Sequence, residues 1–206
     1  MAGGTSVNVK SICVVGVDGT GKSTVVRLLH TQFFPKSIVQ YMGQKEWETK
    51  LARYIFDENN SIANKFIKKI LKPIAVIYDL RHRVYKYKTF NEIIIFDRYA
   101  DEQILQYEKY GKSIFNRPAE WLYNIFFKTF MYNPTLTVYL QCSIDTSLCR
   151  KNDINTDDEI NRLKKSKMIM DKYYTKKSDL IIDTEMNSAE QVANIIYTTF
   201  ELQKIR

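Results

Sequence analysis

One stretch near the N-terminus, Gly16-Val17-Asp18-Gly19-Thr20-Gly21-Lys22-Ser23-Thr24, leaves the chain few folds to choose from. It lies between the apolar run Ile12-Cys13-Val14-Val15 and a stretch whose apolar residues, Val25, Val26, Leu28, Leu29 and Phe33, recur with helical spacing. A strand, a turn of pattern G-x-x-x-x-G-K-[ST] and a helix are together the parts of a phosphate-binding loop. The physics explains the spelling: glycines let the backbone turn tightly with several N–H groups facing inward, and the helix adds the positive end of its dipole. Gly16, Gly19, Thr20, Gly21, Lys22, Ser23 and Thr24 are therefore expected to hold a nucleoside triphosphate, ATP, with Mg²⁺. Lys22 reaches the β and γ phosphates as a point charge, and the Ser23 hydroxyl ligates the metal.

The 206 residues suit one domain, with a loose tail over residues 1–9. Three cysteines, Cys13, Cys142 and Cys149, are odd in number and not spaced for metal, which points to a reducing, cytoplasmic setting. No segment approaches the ~20 apolar residues of a membrane span. Lys and Arg number 31 against 23 Asp and Glu, a net +8. Much of the excess sits at Lys65, Lys68, Lys69, Lys72, Arg81, Arg83, Lys86 and Lys88, with Asp79 the one acid among them. The aromatics there (Phe66, Tyr78, Tyr85, Tyr87) recur at helical spacing, which favours a cleft that gathers phosphorylated small molecules over a nucleic-acid groove. For many of those lysines a solvated helix face is the plainer reading.

In chain order the pattern predicts a buried strand over 11–15, a helix over 22–33 stopped before Pro35, and a strand over 37–42 ended by Gly43. Helical spacing from Lys45 to Lys72 is broken at Asn59-Asn60-Ser61, and Pro73 is expected to open a new helix carrying Ile74, Ile77, Arg81, Val84 and Tyr85. Glu92 to Phe96 is a third strand, apolar without alternation as in a parallel sheet covered on both faces, and it delivers Asp97-Arg98-Tyr99 at its end. Helices follow over about 101–110 and 118–131, then a strand over 136–141 and a short helix capped by Ser143 and ending near Arg150. A polar segment over about 150–160 reads as a mobile lid; Thr156 with Glu159 caps a helix to about Tyr174; Leu180 to Asp183 is the fifth strand; Ser188 caps the last helix. Alternating strands and helices on short links give an α/β architecture, a P-loop NTPase fold with a five-stranded parallel sheet and helices on both faces. Ligands then gather along the C-terminal rim, with the loop, Gly43, Asp97 and Thr184.

Asp97 leaves a buried strand beside the loop, where a carboxylate holds Mg²⁺ or its water, or else caps the next helix. Arg98 offers a planar fork to a phosphate. Asp18, a negative charge inside a triphosphate loop, needs a nearby cation or a second purpose, such as accepting hydrogen bonds from the hydroxyls of an acceptor.

The loop, the Asp97-Arg98-Tyr99 strand end, Arg81 on the third helix, and the Pro134 to Leu140 strand leading to Arg150 together resemble the thymidylate kinase family. The resemblance implies that Asp18 grips the sugar 3′-hydroxyl, Arg98 binds the acceptor phosphate, Arg81 contacts the base, and Arg150 is a lid arginine closing over the donor phosphates. Tyr99 and Tyr78 join the acceptor set. Four residues before Arg81 the family's stacking phenylalanine is replaced by Ile77, with Tyr78 next to it, and the family's R-E-P turn is replaced by Tyr41-Met42-Gly43. Residues 152–161 contain no basic side chain, which leaves Arg150, Lys151 and Arg162 as lid cations.

The expected activity is transfer of the ATP γ-phosphate to a nucleoside monophosphate, thymidine monophosphate by resemblance. A kinase of a hydroxyl acceptor, with Asp18 or Asp97 as base, is the alternative, and a nucleic-acid-stimulated ATPase is a remoter one. Guanine-reading N-K-x-D is absent: Asn64-Lys65-Phe66-Ile67 lacks the aspartate. Wide apolar helix faces over 74–87 and 118–131 predict a homodimer, as does the resemblance.

Overall fold

The computed structural model describes residues 10–44, 46–57, 65–87, 92–102, 105, 133–151 and 156–205. The expected N-terminal tail, the Asn59-Asn60-Ser61 break, most of the helix over 101–110, the helix over 118–131 and the middle of the lid lie outside them. The chain divides into two compact units: a sheet unit (Val9–Tyr41, Asn91–Tyr99, Pro134–Arg206) and a helical unit (Met42–Phe90, Ala100–Asn133, with Met1–Asn8).

In the sheet unit, β1 (Ser11–Val15), β2 (Ile38–Tyr41), β3 (Ile94–Asp97), β4 (Leu136–Gln141) and β5 (Leu180–Asp183) form one parallel sheet of order β2-β3-β1-β4-β5. Ile12, Val14, Ile95, Leu136, Val138, Leu140 and Ile182 form one buried face. They pack on Val25, Val26 and Leu29 from the first helix, α1 (Lys22–Leu28) and its extension, and on Val192, Ile196 and Phe200 of the last, Ala189–Ile205. On the opposite face the Tyr139 ring stacks on Tyr174 at 5.4 Å, and its hydroxyl donates to Asp171 at 2.6 Å, both on the helix Asp157–Lys177. Burial, then that bond to Asp171, pushes the Tyr139 phenol far up from its ordinary range. Helices thus cover both faces, which is why the strands read as unbroken apolar runs. Among the described residues the helices after α1 are, in chain order, α2 (Lys50–Phe56), α3 (Lys65–Tyr85), α4 (Ile144–Arg150), α5 (Asp157–Lys177) and α6 (Ala189–Ile205).

Caps fall where the side chains require them. The Ser143 hydroxyl accepts from Thr146 N, Thr156 and Glu159 form a full capping box, and Ser188 exchanges bonds with Gln191. The helix expected over 22–33 is present, but its last five residues, Leu29–Phe33, are wound as a π-helix, with Phe34 N bonded to Leu29 O at 2.7 Å.

The helical unit departs from expectation. Pro73 does not open a helix; it lies inside α3, which runs through it. Proline there removes one backbone bond. Continuing nonetheless keeps Ala75, Val76, Leu80 and Val84 buried in register. The buried face is also rotated from the expected one: Ile74, Arg81 and Tyr85 are exposed, whereas Asp79 and Arg83 are inside. Arg83 therefore leaves the expected basic surface. It pairs with Asp79 one turn earlier at 2.6 Å, and donates to Gly43 O at 2.9 Å and to Glu46 O. Asp79 in turn accepts from Glu48 N and Thr49 N. Thr49 caps α2.

Candidate active site

The phosphate loop joins β1 to α1 and is shaped by close approach. A Cβ on Gly16 would lie 2.7 Å from Leu140 O, and one on Gly19 would lie 2.6 Å from Ser147 O, where the backbone is also left-handed (φ +85°). No side chain fits either contact. Val17 O accepts from Thr20 Oγ1 at 2.8 Å and from Lys22 Nζ at 2.6 Å, so the lysine, almost fully buried, curls over the loop it belongs to. Gly21 sets the N-terminus of α1, and Ser23 and Thr24 stand exposed in its first turn.

Pairing of Val14 with Asp97 in the β1–β3 ladder brings the strand end beside the loop. Ser23 Oγ donates to Asp97 Oδ2 at 3.4 Å. Among the described residues no group of three or more His, Cys, Asp and Glu gathers to hold a metal. A hydroxyl beside a carboxylate presents oxygens of the kind that hard cations take.

Arg98 follows in a left-handed backbone conformation, φ +70°, uncommon for a side-chain-bearing residue and worth about 1–3 kcal/mol of strain. That turn aims its guanidinium at the loop, where Nη2 meets Asp18 Oδ1 at 2.6 Å. Lys151 Nζ approaches the other oxygen, Oδ2, at 3.6 Å. Partial burial alone would push the Asp18 carboxyl up, but Arg98, with Lys22 and Lys151, outweighs it and holds the pKa at about 2, below its ordinary 3.8. The nearby cations that a loop aspartate calls for are Arg98 on one carboxylate oxygen and Lys151 on the other. Tyr99 is buried, its ring edge-on to Phe96 at 5.5 Å.

Sequence reasoning missed how α4 serves the loop. Ser147 Oγ donates to Asp18 O, and the small side chain leaves room for Gly19. Arg150 Nη1 donates to Thr184 Oγ1 at 3.0 Å and reaches Gly19 O at 3.5 Å, while Nη2 donates to Thr184 O at 2.8 Å. Beside it Glu185 accepts from the Ser143 hydroxyl and Thr146, which hold its pKa at about 2. A serine in a short helix carries no periodic signal. The one available clue was the glycine facing it.

Tyr78 and Arg81 lie in the helical unit, on the exposed side of α3. With His82, Tyr85 and Lys86 they line an open cavity of about 330 Å³, in which the Arg81 guanidinium sits over the Tyr85 ring at 5.4 Å.

The family profile described as thymidylate kinase matches residues 14–196. No curated protein matches the sequence. Among solved structures, thymidylate kinase from Candida albicans shares the fold with a TM-score of 0.67 at 16% identity, over 95% of this chain and 92% of that one. Deoxyadenosine kinase from M. mycoides, with dCMP and a flexible dCDP bound, scores 0.63 at 16% identity over 93% and 98%. Shikimate kinase from Acinetobacter baumannii, in complex with shikimate, scores 0.55 at 18% over 97% of each. Those likenesses carry the fold alone. The profile match, running from the first strand into the last helix, shows that the chain belongs to the thymidylate kinase family.

Proposed function

We propose that this P-loop phosphotransferase moves the γ-phosphate of ATP to a nucleoside monophosphate, with thymidine monophosphate as acceptor. The observation that carries the choice of a phosphate acceptor is the left-handed backbone of Arg98, which turns a guanidinium fork to the loop, 2.6 Å from Asp18 Oδ1. A hydroxyl acceptor needs a base to take its proton. A phosphate monoester, with a second pKa near 6, is already largely ionised at pH 7. Its oxygen forms a bond to the γ-phosphorus as the bond from that phosphorus to the β–γ bridging oxygen breaks, and ADP leaves with the electron pair; no proton need move.

The chain's residues then do positioning and charge neutralisation. The inward N–H groups of the loop and Lys22 hold the donor phosphates. Arg98, turned toward the loop by its left-handed backbone, takes the acceptor phosphate, and Asp18 accepts from the acceptor's sugar hydroxyl. Arg150, tied to Gly19 and Thr184, belongs to the donor side. Ser23 and Asp97 would hold Mg²⁺, which when bound neutralises charge on the β and γ phosphates. Tyr78 and Arg81 are assigned to the base, and Tyr99 to support of Arg98.

The whole chain acts as one kinase, and a homodimer is expected from the apolar residues over 74–87 and 118–131. Sedimentation at micromolar concentration tests the assembly. The +8 charge is read as serving phosphate capture in the cytoplasm, with nucleic acid not a partner. ATP consumption with a panel of nucleoside monophosphates and nucleosides tests the activity. Preference for thymidine monophosphate, abolished by Arg98→Ala, supports the reading; turnover of nucleosides alone replaces it with the hydroxyl-acceptor kinase.

A further inference from the structure

Helix α4 lies against the outside of the phosphate loop, and Ser147 is where the two meet. The residue is fully buried, and its hydroxyl bridges two other parts of the sheet unit: the Cys142 thiol donates to it at 3.7 Å, and it donates to Asp18 O. A serine within a helix can turn its hydroxyl back onto the carbonyl four residues earlier. Here Ser147 N takes that carbonyl, Ser143 O, and the hydroxyl, accepting from the thiol, sends its own proton out of the helix and onto the loop. The main chain of Ser147 is equally near. A Cβ on Gly19 would lie 2.6 Å from Ser147 O and 2.9 Å from its Cα, so the Asp18–Gly19 peptide is seated directly on this residue.

We infer that Ser147 is a positioning residue for the phosphate donor: by holding Asp18 O it fixes the Asp18–Gly19 peptide so that the Gly19 N–H faces the triphosphate. The inference rests on the kinase reading above for the identity of that donor. Among the described residues no peptide bond is cis, and in a trans peptide the N–H points opposite to the C=O. A carbonyl drawn toward α4 therefore turns the next N–H away from α4 and into the loop. Gly19 permits either sign of φ, so the loop's own backbone does not dictate this orientation. The flanking carbonyls are held too: Val17 O accepts from Thr20 Oγ1 and Lys22 Nζ, and Arg150 reaches Gly19 O at 3.5 Å. Lys22 has a phosphate to serve, whereas the Ser147 hydroxyl, neutral and buried, keeps its bond when nucleotide arrives. A dipole aimed in advance costs no reorganisation on binding.

The test uses Ser147→Ala in the full chain, which removes one oxygen and adds nothing. Ser143→Ala is the contrast, because it removes the cap of the same helix and leaves the Ser147 hydroxyl in place. Calorimetric titration with inorganic tripolyphosphate should show about threefold to tenfold weaker binding for Ser147→Ala and less than about twofold change for Ser143→Ala. Cys142→Ala, which leaves the hydroxyl without the thiol that orients it, should weaken binding in the same direction by less. Asp18-Gly19 is the one Asp-Gly pair in the sequence, so ¹³C-carbonyl aspartate with ¹⁵N-glycine isolates the Gly19 amide as a single NMR signal. In the wild-type protein tripolyphosphate should move that amide proton downfield. In Ser147→Ala the displacement at saturation should be smaller, a change that a weakened helix alone would not produce. Steady-state kinetics should carry the loss in KM for ATP and leave KM for thymidine monophosphate within about twofold. Wild-type tripolyphosphate affinity in Ser147→Ala, or a full Gly19 displacement at saturation, overturns the inference while leaving the kinase reading intact. The expected binding and displacement in a protein that phosphorylates no nucleotide overturn the kinase reading and leave Ser147 its role.

Discussion

Among the described residues, the two units differ in whether a fully buried ion pair lies beside the apolar side chains. The sheet unit is centred on apolar side chains from every strand but β2, interleaved with those of α1 and α6, and Asp18, Asp97 and Arg98 of its site sit at the loop and the strand end. Among the described residues of the helical unit, Ala52, Ile55 and Ala75 are buried with Trp47, Phe56 and Leu71 packed against them, Met42, Val76, Leu80, Val84 and Leu105 are buried as well, and a charged pair lies among the buried residues. Among the described residues the largest fully buried side chain is Arg83. Its pair with Asp79 gathers the carbonyls and N–H groups of residues 43–49 around one charged centre. An apolar core tolerates changes that conserve volume; an ion-pair core tolerates loss of neither partner alone. The sheet unit can therefore spend its charged residues on chemistry, whereas the helical unit needs two of its own for shape.

The largest effect should be catalytic and confined to the sheet unit. Arg98→Ala is expected to lower kcat at least about 10³-fold while equilibrium dialysis still detects ATP binding. Retained turnover would place the acceptor phosphate elsewhere. Asp79→Ala should destabilise the helical unit by about 3–5 kcal/mol, because Arg83 is left buried without its counter-ion. Both tryptophans, Trp47 and Trp121, belong to that unit, so their fluorescence during urea unfolding reports it. Adding Arg83→Met should recover part of the loss; an unshifted midpoint for Asp79→Ala would mean that the apolar contacts suffice. Gly19→Ala should follow at about 1–3 kcal/mol, since a Cβ meets Ser147 in a left-handed turn, and tripolyphosphate binding should weaken with it.

Acid titration should give the smallest change. The folded pKa of Asp18 is depressed, so its contribution to stability is present above the unfolded value near 3.8 and is lost as pH falls toward about 2. Between pH 5 and 8 it is constant. Asp18→Asn should accordingly flatten the acid limb of stability below about pH 4 and leave the neutral region's slope unchanged. An unaltered acid limb would mean that Arg98 and Lys151 gain nothing from that carboxylate.

The same contrast governs what could be read in advance. Strands in a covered parallel sheet leave apolar runs, and caps leave a Ser or Thr, before Glu159 at α5 and Gln191 at α6, so all five strands and the starts of α4, α5 and α6 were legible. The loop glycines and the need of Asp18 for a cation followed from chemistry alone. The helical unit hid its organisation because Asp79 and Arg83, four apart, spell an ordinary exposed pair. Only tertiary burial separates that pair from the basic stretch around it. Pro73 misled for a related reason: the lost backbone bond is local, while the compensating burial of Val76, Leu80 and Val84 is not.

The π-wound end of the first helix has a consequence for how the chain tolerates length changes. A π turn accommodates one residue more than an α turn would, so Leu29–Phe33 behaves as a stored insertion. At its end Phe33 and Phe34 both meet the Tyr197 ring, and Phe34 also meets Phe200 edge-on at 5.6 Å. Each residue advances an α-helix by ~100°, so excising one residue here would swing this aromatic contact off the face of α6. The segment works as a phase adjuster, letting one helix present a polar first turn to the nucleotide site and, a few residues later, an aromatic end in step with its neighbour.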